Sequence, residues 1–236
     1  MERPARFITF EGIDGCGKTT QIRKLSEYLS THHISHVVER EPGSTALGGA
    51  LRRILKNPET VYAFMNVAFK DKKDFTPLPI EQERTSESEL FLFLAARAEY
   101  VHHVVAPRLQ ADVSVLSDRF LDSTIAYQGG GLLYKQPDII PTIIQLHRFI
   151  LGGVRMPDLT LCLDISFEEM QRRARSQKQD FIERRGKDYF ERVRNTYLHI
   201  ARKNSDRVVL IDGAQSIDAI FEKGILPHVR KLYNLS

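Results

Sequence analysis

The stretch FEGIDGCGKTTQ, Phe10 to Gln21, decides the fold. Gly12, four residues, then Gly17-Lys18-Thr19 is the spacing of a phosphate-binding loop, whose glycines let successive backbone N–H groups close around a polyphosphate. The apolar run RFITF (6–10) leads into it and a run of good helix formers leaves it. That order of strand, turn and helix aims a helix N-terminus at an anion. Gly12, Ile13, Asp14, Gly15, Cys16, Gly17, Lys18, Thr19 and Thr20 are therefore the candidate nucleoside triphosphate site. Lys18 supplies a point charge for the β- and γ-phosphates, and the Thr19 hydroxyl is offered to Mg²⁺.

Further short apolar runs follow at HVVER (36–40), VSVLSD (113–118), LTLCLDI (159–165) and RVVLID (207–212). Continuous rather than alternating runs mark strands buried on both faces, and the segments between them have room for helices. The pattern is a parallel α/β sheet with right-handed crossovers. Helices are expected from Lys18, near Thr45, Ser86, Pro137 and Ser166, from about Lys187 and from Ser216. Two stretches resist the scheme. Residues 57–85 are too long for a plain connection and read as an insertion within one domain spanning 1–236. Residues 172–187, RRARSQKQDFIERRGK, set seven Arg or Lys against two acids, which by itself reads as a solvated charged face.

The chain has 236 residues, and Lys plus Arg exceed Asp plus Glu by 34 − 30 = 4. That balance suits an anionic small substrate and lacks the dense basic stripe of a nucleic-acid binder. The two cysteines, Cys16 and Cys162, fall in the loop and in a buried strand, so no disulfide framework is expected and a reducing compartment is. The N-terminus MERPARFITF has no apolar run of signal-peptide length and no 18-residue apolar stretch appears anywhere, which points to a cytoplasmic protein without a membrane partner.

A phosphate loop alone does not choose between kinases, GTPases, motors and translocases. The second constellation is SDRFLDSTIAYQGGG (117–131). Asp118 closes the third strand at its carboxyl end, where ligands of open α/β sheets collect, and is the second candidate Mg²⁺ ligand beside Thr19. Arg119 next to it can bridge two phosphate groups.

Together with EREPGST (39–45), LFLFLAARAEYV (90–101) and PDLTLCLDIS (157–166), these motifs make the chain resemble the bacterial thymidylate kinases along nearly its whole length. The resemblance implies a three-layer α/β/α phosphate-loop kinase with a five-stranded parallel sheet and a basic lid. It implies transfer of the γ-phosphoryl group of MgATP to dTMP, giving dTDP and ADP, by a homodimer. It puts Phe93 on the thymine ring and Arg97 at the base edge, while Ser123, Thr124 and Gln128 hold the thymine. Tyr127 would crowd the sugar C2′ position, and Arg40 and Arg52 would lie near the monophosphate. Arg119 would bridge donor and acceptor phosphates. Asp14 would lie near the 3′-hydroxyl and the metal, with Glu41 organising the same acidic region.

The resemblance also makes 172–187 the lid. Gly15 leaves the phosphate loop without an arginine, so the lid should supply one, yet DFIE carries Phe181 where relatives have that arginine. Arg172, Arg173, Arg175, Arg184 and Arg185 compete for the role, and Arg175 and Arg184 are assigned to it beside Lys18, Arg119 and Asp14. The alternatives are a related nucleotide kinase with another acceptor, disfavoured for a nucleoside by Arg40, Arg52 and Arg119, and a non-kinase phosphate-loop ATPase. No guanine-reading N-K-x-D motif appears.

Overall fold

The computed structural model describes residues 4–73, 76, 84–174 and 180–235. Strands β1 (Phe7–Glu11), β2 (His36–Arg40), β3 (Ser114–Asp118), β4 (Leu159–Asp164) and β5 (Val208–Asp212) form one sheet in the order β2-β3-β1-β4-β5. All its pairings are parallel. β1 is buried at every residue, as is β4 up to its last, because helices cover both faces; the edge strands β2 and β5 expose Val38 and Leu210. The register sets Phe10 opposite both Asp118 and Leu161, so the carboxyl ends of β1, β3 and β4 finish at one edge of the sheet. β1 connects to β2 on one side while β4 leaves on the other, and ligands gather at such a reversal of strand order.

The helices are α1 (Lys18–Thr31), α2 (Ala46–Lys56), α3 (Pro58–Phe69), α4 (Ser86–Tyr100), α5 (Ala106–Gln110), α6 (Leu121–Thr124), α7 (Ile139–Leu151), α8 (Phe167–Ala174), α9 (Lys187–Lys203), α10 (Ile217–Ala219) and α11 (Leu226–Tyr233). Local chemistry starts several of them where the sequence leads one to expect. The side-chain oxygens of Thr45, Thr85, Ser166 and Ser216 accept from the backbone N–H groups of Gly48, Ser88, Glu169 and Ala219. α1 turns Ile22, Leu25 and Leu29 into the core on one stripe. Inside the stretch 57–85, Pro58–Phe69 is helical, with Pro at its start, and packs on α2.

After α6 the chain continues as a π-helical segment, Ile125–Leu132. The glycines of YQGGG belong to this segment and serve packing. A Cβ on Gly130 would stand 1.9 Å from Thr196 Oγ1 of α9, so only glycine lets α9 approach this closely. α9 in turn brings Tyr189 and Tyr197, both buried, to the carboxyl edge of the sheet.

Candidate active site

β1 ends at Glu11 and α1 begins at Lys18; the turn between them takes positive φ at Gly12, Gly15 and Gly17. Lys18 is buried, and its ammonium donates to the carbonyl oxygens of Gly12 and Ile13 at 3.2 and 3.1 Å, which folds the side chain back over the loop. The loop opens onto a cleft of about 450 Å³ lined by Asp14, Gly15, Gly17, Lys18, Thr19 and Thr20. Gly12, Ile13 and Cys16 are buried beneath it and shape the loop from below.

Arg119 lines the same cleft in a left-handed conformation, φ 77°. Its guanidinium holds that geometry with five bonds. Nη1 donates to Gly12 O (3.0 Å), Ser123 Oγ (2.9 Å) and Tyr197 Oη (3.3 Å), and Nη2 to Asp14 Oδ1 (2.8 Å) and Tyr127 Oη (3.1 Å). The Tyr127 hydroxyl donates to Asp14 Oδ2 at 2.9 Å. Burial opposes ionisation of Asp14, but Arg119, Lys18 and Lys56 outweigh it and hold its carboxyl well below the usual carboxylate range. Behind this group lies Glu11, which sequence reasoning missed. It accepts from Phe120 N, Ser123 Oγ and Tyr197 Oη, and burial, then the Asp122 carboxylate, push it up. Its place as the last residue of a strand running into a phosphate loop was the available signal.

Arg40 and Arg52 converge over Gly43, where a Cβ would stand 3.1 Å from Arg40 Nε and 3.4 Å from Arg52 Cδ. Both line the cleft with Arg119. Burial lowers the Arg52 pKa, and the positive charges of Arg40 and Arg119 lower it further. Three guanidinium groups this close repel one another, and an anion between them relieves the repulsion.

Phe93, Arg97, Ser123, Thr124, Tyr127 and Gln128 also line the cleft, so the structure brings these expected residues together. Arg97 is fully packed, donating to Thr124 Oγ1 (2.8 Å) and Phe120 O (2.9 Å). Glu41 also lines the cleft, and its carboxylate lies 2.7 Å from Arg97 Nε, so it braces that arginine. Burial pushes the Glu41 carboxyl up to about 7 against the pull of Arg97.

The basic segment divides. Arg173 reaches the phosphate loop, donating to Gly15 O (3.1 Å) and Gly213 O (2.8 Å). Arg172 is exposed and paired with Glu169. Arg184 is exposed, faces Glu59 of α3 at 3.7 Å, and is not among the residues that line the cleft. Arg175, the other assigned lid residue, lies outside the described residues. Phe181, in the position of the absent arginine, packs under Arg84 and Arg185 at 4.9 and 5.6 Å from its ring centre, and its N–H donates to Lys56 O at 3.0 Å. Lys56 is also bonded to Asp180, so α2 holds this end of the segment against the cleft.

Two oxygen donors suit Mg²⁺, which prefers oxygen ligands. The Thr19 side chain is exposed in the cleft, and Asp118 Oδ1 is buried there with no hydrogen-bond partner among the described residues. No cluster of three His, Cys, Asp or Glu able to hold a metal exists among the described residues. No helix among them is long and apolar enough to cross a membrane.

A family model described as thymidylate kinase matches residues 10–75 and 78–223. Thymidylate kinases of Kosmotoga olearia and Neisseria gonorrhoeae are 38% and 35% identical to the chain. These alignments cover 92% and 91% of the chain and 92% of each relative. The crystal structure of thymidylate kinase from Ehrlichia chaffeensis superposes with a TM-score of 0.66 at 31% identity, covering 97% of this chain and 99% of that one.

Proposed function

The chain belongs to the thymidylate kinase family and phosphorylates dTMP with ATP as donor, and on that premise we propose how its own residues divide the work. The observation that carries the proposal is the convergence of Arg40, Arg52 and Arg119 on a cleft that the phosphate loop also lines. The loop residues 12–20 bind the ATP phosphates. Arg40 and Arg52 bind the dTMP phosphate, and Arg119 lies between the two. An oxygen of the dTMP phosphate attacks the γ-phosphorus, the bond to the β-phosphate oxygen breaks, and ADP leaves. Lys18 and Arg119 meet the charge spread over the transferred group, and the rest is positioning. Thr19 and Asp118 would hold Mg²⁺, which neutralises phosphate charge when bound.

The ring of Phe93 supports the thymine base beside Arg97, Thr124 and Gln128, braced by Glu41. Ser123 helps to hold the thymine and to anchor Arg119. Tyr127, bonded to Asp14 and Arg119, stands where a ribose 2′-hydroxyl would go. Arg173, through its bonds to the loop, takes the place proposed earlier for Arg184, and Arg175 remains its partner in the proposal. We read residues 1–236 as one domain of a cytoplasmic homodimer. Exposed Phe91 on α4 and Phe149 on α7, two helices packed on each other, offer an apolar face for a second copy.

An acceptor panel with purified protein tests the reading. ADP should form from ATP when dTMP is present, and neither thymidine nor DNA should replace it. ADP release that ignores dTMP, or that DNA stimulates, would return the chain to the ATPase reading.

A further inference from the structure

Glu89 has no part in the chemistry described above, yet it is among the most heavily bonded carboxylates in the molecule. It lies on α4 one turn before Phe93, is 1% exposed, and receives donors from three separate parts of the chain. Arg185 donates to both its oxygens, Nη1 to Oε1 at 3.0 Å and Nη2 to Oε2 at 2.6 Å. Arg84 Nη2 donates to Oε2 at 3.0 Å, and Gln128 Nε2 to Oε1 at 3.1 Å. Burial opposes its charge, but Arg185, Gln128 and Arg84 together hold the carboxyl below its ordinary range.

An ionised carboxylate only accepts hydrogen bonds, so the amide that faces it must present its NH₂ end. The carbonyl oxygen of Gln128 is thereby turned the other way, and Gln128 lines the cleft in which Phe93 offers a ring for a planar base. We propose that Glu89 is a positioning residue for base selection: it fixes the Gln128 carboxamide with its oxygen toward the acceptor base, and through Arg185 ties that orientation to the segment 180–185.

The chemistry of the two pyrimidines explains what this selects. Thymine presents an N3–H donor between two carbonyl oxygens, whereas cytosine presents a bare N3 acceptor beside its amino group. A fixed amide oxygen accepts from thymine and faces the cytosine acceptor unfavourably, leaving buried polar groups unpaired. An amide free to flip would serve either base. The Arg185 guanidinium that holds Glu89 also donates to Tyr189 Oη at 2.9 Å and packs on Phe181, whose N–H is bonded to Lys56 of α2. The orienting group is thus fastened to the base of the lid and to the helix that carries Arg52.

This inference deepens the dTMP reading and rests on it. The test measures kcat/KM for dTMP and for dCMP, and KM for ATP, in the full chain and in Glu89→Gln, Glu89→Asp and Gln128→Met. The ratio of dTMP to dCMP should fall at least tenfold in both Glu89 variants, with KM for ATP within twofold of wild type. Glu89→Asp keeps the charge that Arg84 and Arg185 require but withdraws the acceptor by one methylene, so it remains informative where Glu89→Gln fails to fold. A merely structural glutamate would lower stability or both activities alike and leave the ratio unchanged. If Gln128→Met collapses the ratio while a folded Glu89 variant keeps it, base reading by Gln128 stands and the role of Glu89 is overturned. If Gln128→Met itself keeps the ratio, base reading by Gln128 fails and the inference falls with it, whereas a wild type that does not phosphorylate dTMP fails the functional reading.

Discussion

Arg119 shows how much geometry one side chain can be asked to hold. Its backbone adopts φ 77°, which costs a non-glycine residue free energy, and the two arms of its guanidinium, Nη2 on Asp14 and Tyr127 and Nη1 on Gly12 O and Ser123, make a fork that a lysine ammonium cannot reproduce. Arg119→Lys keeps the charge and loses the fork, so kcat should fall about a hundredfold or more, the range seen when one preorganised donor is removed. Near-normal steady-state turnover in that variant would make Arg119 a structural residue. His147 poses the opposite case, a titratable group with no chemistry to do. It is 1% exposed, edge-on to Phe120, and neither ring nitrogen has a hydrogen-bond partner among the described residues. Burial, then the nearby Arg97 and Arg207, lower its pKa from 6.5 to about 2. The unfolded chain therefore binds a proton below pH 6.5 that the native state refuses. Stability supplied by the neutral ring is present above pH 6.5 and is lost as pH falls from 6.5 toward 2. Between pH 6.5 and 5 the loss should approach about 2 kcal/mol. Urea denaturation at both pH values should find that difference in the wild type and a distinctly smaller one in His147→Leu; equal differences in the two proteins would rule His147 out as the source.

At the scale of elements, the basic segment is a set of unequal arginines, and the structure ranks them. Arg173 bonds to the carbonyl of Gly15 in the phosphate loop, whereas Arg172 and Arg184 are exposed and face surface acids in solvent that screens the charges. Alanine substitutions made singly should lower kcat/KM for ATP at least tenfold at Arg173 and less than threefold at Arg172 and Arg184. A large loss at Arg184 with none at Arg173 would reverse the ranking. What could be read in advance follows from how local each signal is. The strands were legible because their apolar runs are continuous, and the helix starts because Thr45, Thr85, Ser166 and Ser216 cap within three residues of themselves. Pro58–Phe69 was not, because PETVYAFMNVAF has apolar residues all round and leaves Phe64 and Val67 exposed, so no stripe announces a helix. The phosphate loop and the DRF turn were legible as motifs. The bonds of Glu89 to Gln128 and Arg185 join residues 39 and 96 apart, and no spacing in a single sequence signals such a pair.

At the scale of the molecule, the sheet order explains why one cleft can treat two nucleotides separately. β1 and β3 are neighbours, so the phosphate loop after β1 and Arg119 after β3 meet at the point of transfer. The groups proposed for the acceptor come from other supports: Arg40 from the end of edge strand β2, Arg52 from α2, and Phe93 from α4. Contacts made by those supports should therefore act on dTMP without disturbing ATP. Phe93 is partly buried against the core, so its truncation removes a ring from the cleft while leaving the framework of α4 anchored by Leu90, Leu94 and Tyr100. Phe93→Ala should weaken dTMP binding by about 1–3 kcal/mol, the range for stacking a base on an aromatic ring, and leave the affinity for ATP within about twofold. Calorimetric titration of each nucleotide, with the unfolding temperature measured alongside, decides it. An equal loss of both affinities accompanied by a large drop in unfolding temperature would mean that the ring belongs to the core, and that the two halves of the cleft are not independently supported.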